Sequence, residues 1–385
     1  LQFKYRIDLF HRRQKSKLHS EIGTIGSFQE LFQRRFTNCV YINVRRDHLL
    51  YDSYNELHAR PIEDWFKKFR VNYRNEDGID AGGLKKDWFS SLIKDLFNPN
   101  YALFALNSNG RALQPNPSSY HNPDHIDYFN FAGKVLARAL IEEVTVEAHL
   151  TKAFLKHIIG MVDQMSLADI EDCDEELYKS FVWILNNDVE PLEMYFIADV
   201  EVNLIENGNE ILVTNENKEQ FVRLMIKHRL VDSIKLQVKA FLDGFYSLIP
   251  YEEIRLFRVD ELNLLICGPS HIDLDDFRDN VRIEDYDRHH PVITMFFDVI
   301  SKWSDEDIGK LLLFITGSSQ VPYGGFRELA INGKPIVIRG GGNKTRFPVS
   351  HTCTNTLDLP SYESKDDLEN KLLFSINECN TFGLS

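Results

Sequence analysis

An α+β chain in two unequal lobes is what this sequence predicts: a larger, mostly helical part over 1–267 and a smaller α/β part over 272–385. Three observations lead there. Apolar residues recur at helical spacing through much of the first 267 positions. The apolar run Leu264-Leu265-Ile266-Cys267 then stops at Gly268-Pro269-Ser270-His271, a cluster of turn-forming residues. Beyond it, helical stretches mix with short extended ones such as Ile336 to Ile338. Hydrophobic residues make up 43% of the 385 and aromatics 12%, enough for substantial cores and incompatible with a disordered chain.

The elements follow in order. Phe3, Ile7 and Phe10 share one helical face, and Arg12, Arg13, Lys15 and Lys17 after them suggest a solvated basic turn. Gly78, Gly82 and Gly83 make a turn before a helix carrying Leu84, Trp88, Phe89, Leu92, Ile93 and Leu96. Another helix is expected from about His125 to Leu140. Residues 172–230 change character: a helix through Leu177, Phe181, Ile184 and Leu185, then extended chain from Met194 to Val202. Asn207-Gly208-Asn209 reads as a hairpin-like turn before Ile211 to Val213, and Thr214 as the cap of a helix bearing Phe221, Leu224 and Met225. This segment is expected to be a small inserted subdomain. In the second lobe, helices are expected over Val292 to Trp303, after Ser304 (with Asp307 as a capping box) and from Ser364 (with Asp367) to about Cys379. The last residues, 380–385, read as a mobile tail.

Charge and cysteines narrow the function. Lys plus Arg number 44 against 58 Asp plus Glu, a net charge of −14, the opposite of what phosphate backbones select. Nucleic-acid binding is therefore not expected. No apolar run approaches the ~20 residues of a membrane span. Cys39, Cys173, Cys267, Cys353 and Cys379 are odd in number and widely spaced, which suggests free thiols in a reducing compartment, cytoplasmic or nuclear. Leu1 stands where a start methionine would, so the chain reads as a piece of something longer.

Several candidate sites fail on spacing. Lys334 to Thr345 holds three glycines and Lys344-Thr345, but not the phosphate-loop spacing, and Pro348 blocks the helix that would follow. His121 and His125 flank Pro123 and lack a third ligand, so no metal is expected. Asp287-Arg288-His289-His290 leads into a helix at Pro291. The stretch Arg346 to Pro360 is different. Cys353 lies among small polar residues between prolines, on an expected loop where a large electrophile can reach it, with Arg346 and His351 near in sequence to favour a thiolate. Taken alone, an unreactive thiol in a turn is the favoured reading of any lone cysteine.

His351-Thr352-Cys353-x-Asn355, followed by Leu357-Asp358-Leu359-Pro360 and Tyr362, resembles the catalytic signature of HECT-type ubiquitin ligases. Other matching elements occur in that family's order. They are Val44-Arg45-Arg46-Asp47-His48, Asp52-Ser53-Tyr54, Asp80-Ala81-Gly82-Gly83-Leu84, Phe97-Asn98-Pro99, Asn116-Pro117-Ser118-Ser119, Phe131-Ala132-Gly133-Lys134 and Val213-Thr214-Asn215-Glu216-Asn217-Lys218. The second lobe adds Phe314-Ile315-Thr316-Gly317, Val321-Pro322, Gly325-Phe326 and the tail residue Phe382. Arg-Arg-Asp-His and Asn-Pro-Ser-Ser resemble the very large Mule-type ligases most. Departures are Thr354 where Phe is common, Phe347 in a usual Arg-Leu-Pro, and Met225 where relatives often have Tyr.

The resemblance implies a bilobal HECT fold. A helical N-lobe would carry a conjugating-enzyme-binding subdomain at about 172–230, with Leu177, Phe181, Ile184, Met194, Phe221 and Met225 in its groove. Ordinary core explains those six equally well. The break Gly268, Pro269, Ser270 and His271 falls at the family's hinge. The implied reaction needs no cofactor and no metal. Ubiquitin passes from a conjugating enzyme to Cys353 as a thioester, then to a lysine of a protein substrate. His351 and Thr352 would shape the loop and stabilise the developing oxyanion, Asp358 would orient or accept the proton of the amine, and Phe382 would dock the tail. A cysteine hydrolase would need a base histidine held by a third group, for which no local signature is recognisable, and a non-catalytic binding module would keep only the groove.

Overall fold

A computed structural model describes residues 3–19, 39–74, 76, 83–199, 202–269, 272–321, 324–352 and 354–378. The expectations for Gly78, Asp80 to Gly82, Ser270, His271, Pro322, Cys353, Cys379 and the 380–385 tail with Phe382 lie outside these residues. The fold is α+β, with many helices and four small sheets among the described residues.

Helix α1 (Phe3–His19) buries Ile7 and Phe10 and continues through the basic residues where a turn was expected. Lys and Arg are good helix formers, and Lys15 there reaches Glu143 at 2.6 Å. Strands β1 (Cys39–Val44) and β2 (Lys68–Tyr73) pair in parallel around α2 (Leu49–Leu57), a sheet the sequence reading missed. Two of the motifs meet here. The Arg45 guanidinium grips Asp52 at 2.8 and 2.9 Å and holds its carboxyl down at about 2. Ser53 accepts a 2.9 Å bond from the Trp88 indole on α3 (Gly83–Leu96).

Strands β3 (Phe104–Leu106) and β4 (Leu113–Pro115) form a hairpin. Helix α4 (His125–Ile141) starts where expected, with the His125 Nδ1 2.9 Å from the Ser119 hydroxyl. Next come α5 (Lys152–Ile158), α6 (Leu167–Cys173) and α7 (Glu175–Asn186). The expected extended run is only β5 (Ile197–Ala198), paired with β6 (Val202–Asn203). Asn207, at φ +54, leads into a 3-10 turn rather than joining two strands. Helix α8 (Lys218–Leu230) begins after Asn217, three residues later than Thr214 suggested. The Asn217 side chain accepts the Thr214 N–H at 2.7 Å and so closes the preceding turn. Helices α9 (Lys235–Tyr246), α10 (Tyr251–Ile254) and α11 (Val259–Cys267) follow. The run Leu264 to Cys267 is thus the end of a helix, closed by Gly268 at φ +73.

The last part holds α12 (Leu274–Asn280), β7 (Arg282–Glu284), α13 (Pro291–Ile300), α14 (Asp305–Thr316), α15 (Gly325–Ile331), β8 (Val337–Gly340), β9 (Val349–His351), β10 (Thr356–Leu359) and α16 (Lys365–Glu378). Two caps read from sequence are present: Ser304 accepts the Asp307 N–H and Ser364 that of Asp367. A third, which the sequence did not single out, is His290, whose Nδ1 accepts the Val292 N–H.

Two compact units result: Leu1–Ile7 with Leu96–Ala137 and Ala148–Asn263, and Asp8–Asp95 with Arg138–Glu147 and Leu264–Ser385. Within the first, α4 and α9 approach through reciprocal glycines. A Cβ on Gly133 would stand 2.0 Å from the Phe241 carbonyl oxygen, and one on Gly244 2.0 Å from that of Asn130. Within the second, a core from Ile272 to Ile376 packs Phe277, Phe296, Leu311, Ile338, Leu357 and Leu372 together.

Because backbone atoms cannot yield as a side-chain tip can, Gly133→Ala is expected to destabilise the fold by ~3 kcal/mol or more. Urea unfolding measures this. An unchanged midpoint would mean that the two helices separate at little cost.

Candidate active site

The sheet order β7-β8-β10-β9 makes β10 an inner strand, parallel to β8 and antiparallel to β9. Its side chains alternate: Leu357 and Leu359 are fully buried, which turns Asp358 to the opposite face. Thr356 lies opposite His351, so the loop between β9 and β10 is the four residues 352–355. Cys353 is the second of these in sequence and is itself outside the described residues. The prolines that argued against regular structure lie beyond a short hairpin, whose strands need only three or four residues each.

Backbone bonds close the loop. Thr354 N–H donates to the His351 carbonyl at 3.1 Å and Asn355 N–H to that of Thr352 at 3.4 Å. Asn355 takes the left-handed conformation, φ +52, and is 4% exposed. Its side-chain amide donates to the Lys334 carbonyl at 3.0 Å, and its own carbonyl accepts from Val337 at 2.9 Å. Asn tolerates this φ better than most residues and also supplies the donor. Thr354, in the position where Phe is common, binds the Thr356 hydroxyl at 2.9 Å. Thr352 lies against Gly317, which follows α14 at φ +74. Buried Tyr362 donates to the Arg346 carbonyl at 2.6 Å, tying the segment before β9 to the one after β10, and burial pushes its phenol up.

On the outward face, His351 Nε2 is 3.0 Å from Asp358 Oδ2. Arg339, directly opposite Asp358 on β8, donates from Nε to Oδ1 at 2.9 Å and from Nη2 to Oδ2 at 3.0 Å. The sequence reading named His351 and Asp358 but missed Arg339. A lone charge in Val337-Ile338-Arg339 gives no hint of its partner until the register is known. It also missed an apolar pair: the rings of Phe347 and Phe374 meet tilted by 36° with centroids 4.9 Å apart, both about half exposed. Val349, two residues before His351 on the same strand face, is also exposed.

In the first unit, Phe181, Ile184 and Phe221 lie inside a small core with Ile170, Val189 and Phe196, so for these three the core reading describes their placement. Leu177, Met194 and Met225 are only partly buried against it. Trp183, Leu192, Tyr195, Val202, Ile211 and Leu212 are the exposed large apolar residues of this segment among those described, and Tyr195 and Leu212 bridge two chain segments. Helical period picks out the inward face, so these outward residues were passed over. Of the described thiols, Cys173 and Cys267 are buried, and burial pushes Cys173 up to about 12, an unreactive state.

Comparison with known proteins adds a family. The model described as HECT-domain (ubiquitin-transferase) matches residues 90–385. The chain is 38% identical over 389 residues to a TOM1-like E3 ubiquitin-protein ligase of Neurospora crassa, covering 98% of this chain and 9% of that protein. It is 39% identical over 350 residues to the E3 ubiquitin-protein ligase ptr1 of Schizosaccharomyces pombe, with 88% and 11% covered. With mouse HUWE1, an E3 ubiquitin-protein ligase, identity is 38% over 358 residues, with 89% and 8% covered. The chain thus spans about a tenth of the length of these relatives.

Asn355→Ala should lose about 1–3 kcal/mol, from an unfavourable φ and an unpaired Lys334 carbonyl. Asn355→Gly, which keeps the φ, should lose less. Equal midpoints for the two in chemical unfolding would show that backbone conformation is not what Asn355 supplies.

Proposed function

Since the chain belongs to the HECT-domain (ubiquitin-transferase) family, we propose that it is the catalytic part of an E3 ubiquitin ligase working through Cys353. The observation that carries this reading is the closed four-residue loop between β9 and β10, with the bonded His351 and Asp358 beside it.

The chemistry has two steps. The Cys353 thiolate attacks the thioester carbonyl of ubiquitin on a conjugating enzyme, one C–S bond forms as another breaks, and the step is nearly isoenergetic. Positioning rather than activation is what the protein must then supply. A substrate lysine next attacks the new thioester, its nitrogen sheds a proton, and Cys353 leaves as thiolate. His351 and Asp358 handle that proton, and Thr352 helps shape the loop where the oxyanion develops. The Phe347, Val349 and Phe374 patch supports ubiquitin docking beside the loop, since exposed aromatics otherwise have little reason to cluster. Conjugating enzyme would dock on the subdomain through Leu177, Met194 and Met225, flanked by exposed Leu192 and Tyr195. Buried Phe181, Ile184 and Phe221 hold that surface from below. Gly268 to His271 forms the hinge between lobes 1–267 and 272–385, because one thiol must face donor and acceptor in turn. Phe382 docks the tail during the second step. Catalysis by a free thiol suits a reducing compartment, cytoplasm or nucleus.

The chain incubated with ubiquitin, activating enzyme, a conjugating enzyme and ATP is expected to form an adduct that reductant removes. Cys353→Ala should form none, and Cys353→Ser one that resists reductant. An adduct persisting in the Ala variant would assign the acceptor elsewhere. Release of free ubiquitin from preformed chains would favour a hydrolase, and binding of conjugating enzyme without any adduct a binding module.

Leu192→Ala with Tyr195→Ala is expected to slow loading about tenfold. Removing residues 382–385 should slow discharge alone, and Ser270→Pro with His271→Pro should slow both. Any variant that stays folded and runs at full rate removes its part from the scheme.

A further inference from the structure

We propose that Arg339 is a positioning residue for the second step, acting through Asp358 on His351; this rests on the ligase reading above. Three strands place the group. Arg339 on β8 and Asp358 on β10 are register partners, and His351 on β9 reaches Asp358 diagonally from the far side. The guanidinium fork occupies both carboxylate oxygens at 2.9 and 3.0 Å, and His351 Nε2 shares Oδ2 at 3.0 Å. Arg339's other register partner, Glu284 on β7, is held by Arg282 on its own strand at 3.1 Å. The fork therefore stays on Asp358.

This arrangement divides the labour. An ionised carboxylate only accepts, so the His351 bond places the imidazole proton on Nε2 and leaves the lone pair on Nδ1. Nδ1 has no hydrogen-bond partner among the described residues. Asp358 already receives three donors, which fits it to orient the ring rather than to take a proton itself. In the step, the lysine nitrogen bonds to the thioester carbonyl carbon and its proton passes to His351 Nδ1. The C–S electron pair returns to Cys353 as the isopeptide forms, with no further reactant. Arg339 prevents the carboxylate from turning, and only a planar two-point donor does that; an ammonium holds one oxygen and lets the group rotate.

The test preloads Cys353 with ubiquitin on the full chain and follows single-turnover discharge to free lysine. Arg339 is 41% exposed, so Arg339→Met is expected to fold and to load at the unmodified rate. Its maximal discharge rate should fall about tenfold, below the ~10²–10⁴ of a general base itself, with the half-saturating lysine concentration unchanged. Arg339→Lys should recover part of the loss. In a His351→Gln background, Arg339→Met should add nothing, because the residue through which it acts is gone. Full-rate discharge by Arg339→Met, a parallel loss of loading, or the same tenfold loss in the His351→Gln background would each overturn the inference. An unmodified chain that forms no adduct would sink the ligase reading and this inference with it, whereas a variant that loads and discharges normally sinks the inference alone.

Discussion

Burial of Leu357 and Leu359 is the constraint on which the candidate site depends. Both side chains are removed from water entirely, in a core that runs from Ile272 to Ile376. A one-residue slip of β10 would drive Asp358 into that core and expose two leucines, at a cost of several kcal/mol. The register is therefore set by apolar burial, and the polar face inherits it. Asp358 must then meet Arg339 on one neighbour and His351 on the other. The same register ends β9 at His351 and leaves four residues to turn the chain.

The loop repeats this economy on a smaller scale. Asn355 turns the chain at positive φ and spends its side chain on the Lys334 carbonyl, while Thr354 spends its hydroxyl on Thr356. Local polar bonds thus take over where a bulky apolar residue is common. The proposed thioester exchange would draw on such a loop, because a reaction of that kind needs little driving force and much alignment.

The subdomain in the other unit follows a different logic. Its helices α7 and α8 direct Phe181, Ile184, Phe221 and Ile226 at one another, and a core this small leaves other apolar residues outside. Leu192, Tyr195, Ile211 and Leu212 are left at the surface by short strands and turns, not by helical phase. Surface of this kind is costly for a solvated protein and is characteristic of docking sites.

The sequence by itself determined the class of fold, most helix positions, the caps at Ser304 and Ser364, and the family, since these rest on local periodicity, local hydrogen bonding and motif order. It also singled out His351 and Asp358 beside Cys353. It misplaced the start of α8 and the hairpin at Asn207, where competing side-chain bonds of similar strength decide the outcome. The parallel pairing of β1 with β2, the partnership of Arg339 with Asp358 and the contact of Phe347 with Phe374 were decided only in the tertiary structure. Each joins residues 19 to 29 positions apart through strand register or helix packing. Periodicity along a chain reports which face of an element is buried, but not which neighbour it is buried against.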